Sequence, residues 1–437
     1  MLKGKTVAPL TLGCKVNQYE TDGMIELLKE AGMTAVSFEE KADVYLINTC
    51  SVTNMADKKS RQMIHRAKKL NPDAVVIAAG CYVQAAKEKL MEDDRISIII
   101  GNNKKKDIVQ ILEDYLEIGV TDEGMLDIAA EKEYEPLTIN STLEHTRAYV
   151  KIQDGCNQFC SYCIIPYVRG RIRSRELASI TEEVERLAQT GVKEIVLTGI
   201  HISSYGKDKE NEVGLADVID AISKIESIER IRLGSLEPGI ITDTFIDRIV
   251  DNKKVCPHFH LSLQSGCNTV LKRMNRKYTC EEYFEKCEML RKAFDRPALT
   301  TDVIVGFPGE TDEEFQETVD YLTKLNLYEM HIFKFSPRQG TVAAGMRDQI
   351  GPEIKNQRSD VLLALSEKNK HAYEASFRGE TLEVLIEEKV RRNGKDGYRG
   401  HTERYIDIFV EEECMHRICG REVDIINHIV QIPYGME

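Results

Sequence analysis

The sequence predicts an α/β protein in three parts: an N-terminal domain built on a parallel sheet, a central incomplete barrel of six βα units, and a small C-terminal antiparallel β-barrel. Three observations predict this. Apolar strand-like runs alternate with amphipathic segments over residues 1 to about 115, the alternation restarts near 145, and after 376 short alternating strands are separated by glycines and charges. The boundaries read as 1–120, a polar linker at 121–143, 144–375 and 376–437.

TVAPLTLGC (6–14) reads as the first strand and leads into a helix near 18–31, with Met24, Leu27 and Leu28 at helical spacing and Gly32 as its stop. VYLINTC (44–50) leads into a basic helix near 55–70 that Asn71-Pro72 closes. VVIAAGC (75–81) and SIIIG (97–101) lead into a third and a fourth helix. Residues 118–143 are acidic and without a clear period, hence the linker. Six further strands are predicted at 148–152, 194–200, 230–236, 258–263, 300–307 and 330–335. Helical segments separate them, such as 181–190 with Val184, Leu187 and Ala188 on one face. Six such units suit an incomplete version of the eight-unit barrel, whose site lies in the loops at the strands' carboxyl ends. A long polar helix is predicted from Pro352 to about 375, and the alternating strands of the last sixty residues suit a small antiparallel barrel.

Composition bounds the function. The 437 residues are 42% hydrophobic and 30% charged, and no apolar run approaches the ~20 residues of a membrane span. MLKGKTVAPLTLGC mimics a secretory signal, but its apolar part is short and reads as a strand, so a cytoplasmic location is predicted. Twelve cysteines in a reducing compartment point away from disulfides and toward metal binding, catalysis or burial. A net charge of −13 argues against nonspecific nucleic-acid binding while leaving room for a local basic groove.

Cys14, Cys50 and Cys81 each end a predicted parallel strand, where open α/β sheets form ligand sites. The alternative is that each fills its strand end as a small buried hydrophobe. Cys156, Cys160 and Cys163 stand at C-x3-C-x2-C spacing with no fourth ligand nearby. Structural zinc takes four ligands, and here it would have to borrow one from as far away as His201. A cubane cluster held by three cysteines instead keeps one iron open for a substrate.

This spacing, with Tyr162 before the last cysteine and at the end of the barrel's first strand, resembles the radical S-adenosylmethionine (SAM) superfamily. Over nearly all of its length the chain resembles the methylthiotransferases of that superfamily, including a terminal domain similar to the TRAM RNA-binding fold. The resemblance implies that Cys156, Cys160 and Cys163 hold a [4Fe–4S] cluster that cleaves SAM to a 5′-deoxyadenosyl radical. It implies that Cys14, Cys50 and Cys81 hold a second [4Fe–4S] cluster, whose open iron carries the sulfur to be methylated and transferred. Two SAM molecules are then used per product, one as methyl donor and one as radical source. LTGI (197–200), GSLEP (234–238), LQSG (263–266) and DVIVGFPGET (302–311) correspond to strand ends lining the SAM site. Tyr162, Thr198, Gly199, Glu237, Gln264 and Gly306 are therefore expected at the cofactor, with ordinary strand-end turn chemistry as the alternative. No catalytic residue is expected beyond the two cluster sites.

The stretch 13-GCKVNQYET-21 resembles the branch acting on N6-threonylcarbamoyladenosine at position 37 of tRNA. Members acting on isopentenyladenosine in tRNA read G-C-Q-M-N there, and those acting on a ribosomal-protein aspartate read G-C-P-K-N. The implied partners are the tRNA anticodon loop, a flavodoxin- or ferredoxin-like electron donor and an unidentified sulfur donor. Arg169, Arg171, Arg173 and Arg175 would share one face if the segment is extended, forming a row for anticodon-loop phosphates beside the cluster. Arg391 and Arg392, with Lys395, offer a second phosphate contact, and Lys58, Lys59 and Arg61 a third. Solvated or salt-bridged charge is the alternative for each. Residues 376–437 carry 9 Lys/Arg against 13 Asp/Glu, so RNA binding there requires a local patch. The competing readings are a protein-aspartate target and a non-enzymatic pair of electron-transfer clusters, the latter leaving the barrel unexplained. Cys256, Cys267, Cys280, Cys287, Cys414 and Cys419 form no constellation; Cys280 and Cys287, seven apart on a predicted helix, share a face and read as buried, and Cys267 is placed near the site by the preceding QSG.

Overall fold

The computed structural model describes residues 1–119, 125–140, 146–210, 213–419 and 425–435. Its first five strands are β1 (Thr6–Thr11), β2 (Thr34–Ala35), β3 (Val44–Thr49), β4 (Val75–Gly80) and β5 (Ile98–Ile100). They form one parallel sheet in the order β2-β1-β3-β4-β5. Helices α1 (Lys15–Glu30), α2 (Asn54–Leu70) and α5 (Ile108–Ile118) follow the expected places, while α3 (Cys81–Ala85) and α4 (Lys87–Met91) replace a single third helix. β3 is buried along its whole length because both faces are covered: Tyr45 and Ile47 pack into one core, Val44 and Leu46 into the other. The edge strand β2 is too short to carry a readable period.

Residues 125–140 have no regular structure, yet the chain there is not a free tether. Leu137 and Ile139 are buried in the barrel core, and Tyr134 Oη donates to the Lys151 carbonyl at 2.7 Å. The other parts of the expected linker, 121–124 and 141–143, lie outside the described residues.

All six predicted barrel strands form: β6 (Arg147–Asp154), β8 (Glu194–Gly199), β9 (Arg230–Leu233), β10 (His258–His260), β11 (Ala298–Val305) and β12 (Glu329–Lys334). They run parallel in sequence order, and bridges Ile231–Val255 and Leu236–Leu261 join the two halves. The short β7 (Arg173–Ser174) adds antiparallel to β6. Helices α6 (Ile165–Val168), α7 (Leu177–Gln189), α8 (Leu215–Ser223), α9 (Asp243–Ile249), α10 (Asn268–Arg273), α11 (Cys280–Ala293), α12 (Asp312–Leu325) and α13 (Pro352–Ala375) complete this part. Sequence signals set several starts: Thr279 with Glu282, and Thr311 with Glu314, close capping boxes on α11 and α12.

The terminal part is a curled antiparallel sheet in the order β15-β14-β13-β16, from β13 (Thr381–Arg392), β14 (Lys395–Thr402), β15 (Asp407–Glu411) and β16 (Ile429–Pro433), with α14 (Glu412–Cys419) beside it. It docks on the barrel's amino-terminal end, where the Tyr405 ring lies 5.1 Å from the Arg147 guanidinium and 4.9 Å from that of Arg232. Among the described residues no helix is long and apolar enough to cross a membrane.

Candidate active site: two sets of three cysteines

The first three cysteines converge because β1, β3 and β4 are neighbours and each is followed within three residues by one of them. Gly13 permits the approach. It is left-handed (φ +106°), and a Cβ there would stand 2.8 Å from Cys50 Sγ. Asn17 fixes the loop, its Nδ2 donating to the carbonyls of Leu12 (2.7 Å) and Thr49 (3.0 Å). Cys50 and Cys81 are buried and Cys14 is exposed. Burial pushes the Cys50 thiol up to about 11, and the Cys81 and Cys14 thiols add to that shift while Arg169 opposes it.

The second set lies on the loop after β6. Cys156 Sγ accepts from the Gln158 amide at 3.4 Å, and Cys160 Sγ accepts from Arg276 Nη1 at 3.3 Å. Burial, reinforced by Cys160, raises Cys163 to about 12, and burial raises Cys156 to about 11. Three thiols with a cationic donor on one sulfur fit the ligand set of an open iron–sulfur cluster, which takes thiolates and is tuned by hydrogen bonds to sulfur. The first set fits equally: Arg169 Nε donates to Cys81 Sγ at 3.2 Å, and Asn102 Nδ2 lies 3.8 Å from the same sulfur.

One short helix couples the two sets. α6 begins two residues after Cys163, and its Ile164–Val168 region packs on Cys81. Asn102 Nδ2 donates to the Val168 carbonyl at 2.7 Å, so a single side chain touches both Cys81 and the end of α6.

The arginine row does not form as expected. Gly170 is left-handed (φ +70°), and a Cβ there would meet the Ile128 carbonyl at 2.1 Å, so the backbone turns and the period-2 alternation is broken. Arg169, Arg173 and Arg175 are buried, and only Arg171 is exposed, its guanidinium 4.5 Å from the Phe159 ring centre. Arg169 donates to Glu20 (2.8 and 3.0 Å), Asp154 (3.1 and 3.2 Å) and Asn17 Oδ1 (2.7 Å). Arg173 donates to the Arg169 carbonyl and faces Asp154, while Arg175 pairs with buried Glu183. Inside and paired, these three have no face to offer phosphates. Glu20 also binds Lys105 (2.6 Å) and Lys151 (2.7 Å), so one buried ionic network ties the N-terminal part to the barrel. Burial opposes its ionisation, but Arg169 and the two lysines hold the Glu20 carboxyl well below the usual range.

Among the residues expected at the cofactor, Tyr162 and Glu237 stand beside the second set, and Thr198 and Gly199 end β8, which pairs with β6. Arg276 reaches Glu237 Oε1 (2.6 Å) as well as Cys160, and Glu237 lies 3.7 Å from His201 Nε2. The His201 amide donates to Gln153 Oε1 (2.7 Å), and Gly199 stands against the Gln153 carbonyl. Tyr162 packs with Cys267, Val270 and Phe307, which places Cys267 beside the site as expected. Gln264 and Gly306 stand further round the rim, and the Gly306 amide is already taken by Glu310 Oε2 at 2.7 Å. Arg276, Asn102 and Lys105 were not legible in the sequence, and His201 stood out only as the next histidine after the cysteine loop; Arg276 lies 116 positions beyond Cys160 with no motif linking them. Arg391 and Arg392 are exposed at the β13–β14 turn.

The barrel with its cysteine loop at the carboxyl end of the first strand defines a radical SAM enzyme. Family comparison agrees: residues 150–322 match the Radical SAM superfamily, and residues 6–101 match a family described as uncharacterized protein family UPF0004. The chain is 42% identical over 430 residues to the threonylcarbamoyladenosine tRNA methylthiotransferase of Bacillus subtilis, covering 98% of this chain and 93% of that one. It is 40% identical to the same-named protein of Aquifex aeolicus (92% and 96% covered) and 36% identical to a tRNA-2-methylthio-N6-dimethylallyladenosine synthase of Thermoanaerobacter pseudethanolicus (94% and 89%). Its fold is similar to that of a radical SAM methyltransferase from Kitasatospora setae, with TM-score 0.57, 15% identity and 78% and 77% coverage. The chain belongs to the radical SAM tRNA methylthiotransferases.

Proposed function

We propose that this protein transfers a methylthio group to C2 of N6-threonylcarbamoyladenosine at position 37 of tRNA. The observation that carries the reading is the pair of three-thiol sites joined through α6, in a chain whose relatives from Bacillus subtilis and Aquifex aeolicus bear that substrate in their names. Bound there, two [4Fe–4S] clusters and SAM supply one-electron cleavage of a sulfonium and a sulfur to be methylated. The chain's own residues do the rest. Arg276 donates to Cys160 and Arg169 to Cys81, so each ligand set has a guanidinium hydrogen-bonded to one of its sulfurs. Tyr162, Thr198, Gly199, Glu237, Gln264 and Gly306 stand at or around the rim as the SAM contacts of this reading.

The anticodon loop has to present an unstacked base, because C2 is inaccessible inside a stacked helix. Arg171, Lys58, Lys59, Arg391 and Arg392 are the exposed cations assigned here to its phosphates. A flavodoxin- or ferredoxin-like protein is the reductant of this reading. The functional units are 1–120, 144–375 and 376–437, the last a TRAM-like RNA-binding domain. The test is nucleoside mass spectrometry of tRNA from cells with and without the gene. Loss of 2-methylthio-N6-threonylcarbamoyladenosine with accumulation of its precursor is expected. An unchanged level refutes the substrate, and isopentenyladenosine and the ribosomal protein become the targets to assay.

A further inference from the structure

The lumen of the barrel is polar and cationic. Val150, Leu233, Leu261 and Val303 face the helices in the main core, so the alternate positions line the inside. These include Tyr149, Arg232, His258, His260, Asp302 and His331. The His260 and His331 rings stack at 5.7 Å, and His260 Nε2 lies 3.4 Å from Asp302. Arg147, Arg230 and Arg232 at the base are held by carboxylates, all three through Glu194.

Lys15 is different. It follows Cys14 directly, and its Nζ stands over the Tyr149 ring, 6.0 Å from the centroid. Among the described residues it has no ion-pair partner, although its neighbours His258 and Arg232 lie close enough for their charges to interact. An exposed ammonium with no direct ion pair among the described residues thus faces this lumen, and Glu194, whose carboxylate also acts on it, is engaged by the three arginines.

We propose that this lumen receives the N6 substituent of the target nucleoside and that Lys15 pairs with its carboxylate. The inference rests on the substrate reading above and adds the device that selects within it. A threonylcarbamoyl group ends in a carboxylate and a hydroxyl, which an ammonium, imidazoles and Asp302 can satisfy. A prenyl group offers none of these, and packing it here would desolvate Lys15 and the histidines without pairing them. Lys15 therefore selects the anionic substituent over the prenylated one, one residue from a ligand of the first thiol set.

The experiment measures the affinity of anticodon stem-loops carrying N6-threonylcarbamoyladenosine or its methyl ester for the reconstituted wild type, Lys15→Gln and Lys15→Arg. The wild type is expected to prefer the acid by about tenfold to a hundredfold, the range of a hydrogen-bonded charge. Lys15→Gln is expected to lose that preference, and Lys15→Arg to keep most of it. Iron content and SAM affinity are expected to match the wild type in both. His331→Glu, far from the cysteines in sequence, tests the same field independently: a carboxylate in the lumen is expected to weaken the acid and spare the ester. An undiminished preference in Lys15→Gln or in His331→Glu overturns the proposal, as does a wild type that binds acid and ester equally, or a Lys15→Gln loss confined to SAM. Wild-type protein that selects the acid yet leaves it unmodified refutes the activity and keeps the subsite. Wild-type protein that modifies it while Lys15→Gln retains full preference refutes the subsite and keeps the activity.

Discussion

Arg169→Ala separates a buried clamp from an RNA contact. The guanidinium is fully buried and donates to both oxygens of Glu20, to Asp154, to Asn17 Oδ1 and to Cys81 Sγ. Removing it leaves Glu20 with Lys105 and Lys151, and Asp154 with Lys151 at 2.6 Å. The carboxylates keep lysine partners, so the cost is held to the lower end of the roughly 3–5 kcal/mol of an orphaned buried charge, about 3 kcal/mol. With a urea m value of about 3 kcal/mol/M, the unfolding midpoint falls by roughly 1 M. The assay is urea unfolding of the reconstituted variant by circular dichroism, paired with tRNA affinity at several salt concentrations. The expected result is the midpoint loss with no change in the slope of log K against log salt. A midpoint within about 0.2 M of the wild type, together with a shallower slope, refutes the clamp and restores the phosphate contact.

Arg171→Ala is the converse: the salt slope drops by about 0.7–0.9 for the single phosphate no longer neutralised, and stability stays within about 0.5 kcal/mol. Cys160→Ala and Cys50→Ala each halve the iron bound by the reconstituted protein. Only the first abolishes SAM cleavage and only the second stops methylthio transfer with cleavage intact, read by iron analysis and product chromatography. Glu194 gives a pH signature: burial opposes its ionisation, but Arg232, Arg147 and Arg230 bring its carboxyl down to about 2 from an ordinary 4.5. Its contribution, about 3 kcal/mol at 1.36 kcal/mol per unit, is fully present above pH 4.5 and is lost as pH falls toward 2. Urea midpoints between pH 6 and 2.5 are therefore flatter for Glu194→Gln than for the wild type, and parallel curves refute the assignment.

The fold was legible where periodicity speaks. Every parallel strand long enough to carry a burial pattern stood out, because strands buried on both faces are continuous apolar runs bounded by glycines and caps. The two-residue strands β2 and β7 were not legible, since pairing alone defines them. The thiols of the first set were legible only as strand ends. What brings Cys14 to Cys50 is the missing side chain at Gly13 and the reach of Asn17, roles that the GCKVN string does not itself reveal.

The arginines misled for a physical reason that bears on RNA binding. Alternating charge reads as an exposed face only if the partners are solvent, and here Glu20 from the distant α1 and Glu183 from the following α7 meet Arg169 and Arg175 inside. Among the described residues ten buried Lys and Arg stand against six buried Asp and Glu. The interior thus holds a surplus of positive charge, and the solvent-facing surface is more acidic than the formal −13 suggests. Thiolate-ligated clusters bring anionic sulfur to where that surplus points, at Arg169 beside Cys81 and Arg276 beside Cys160. The tRNA for its part has to approach an acidic surface through a few exposed cations, so its affinity falls steeply with salt only to the extent that Arg171 and the lysines of α2 reach phosphates.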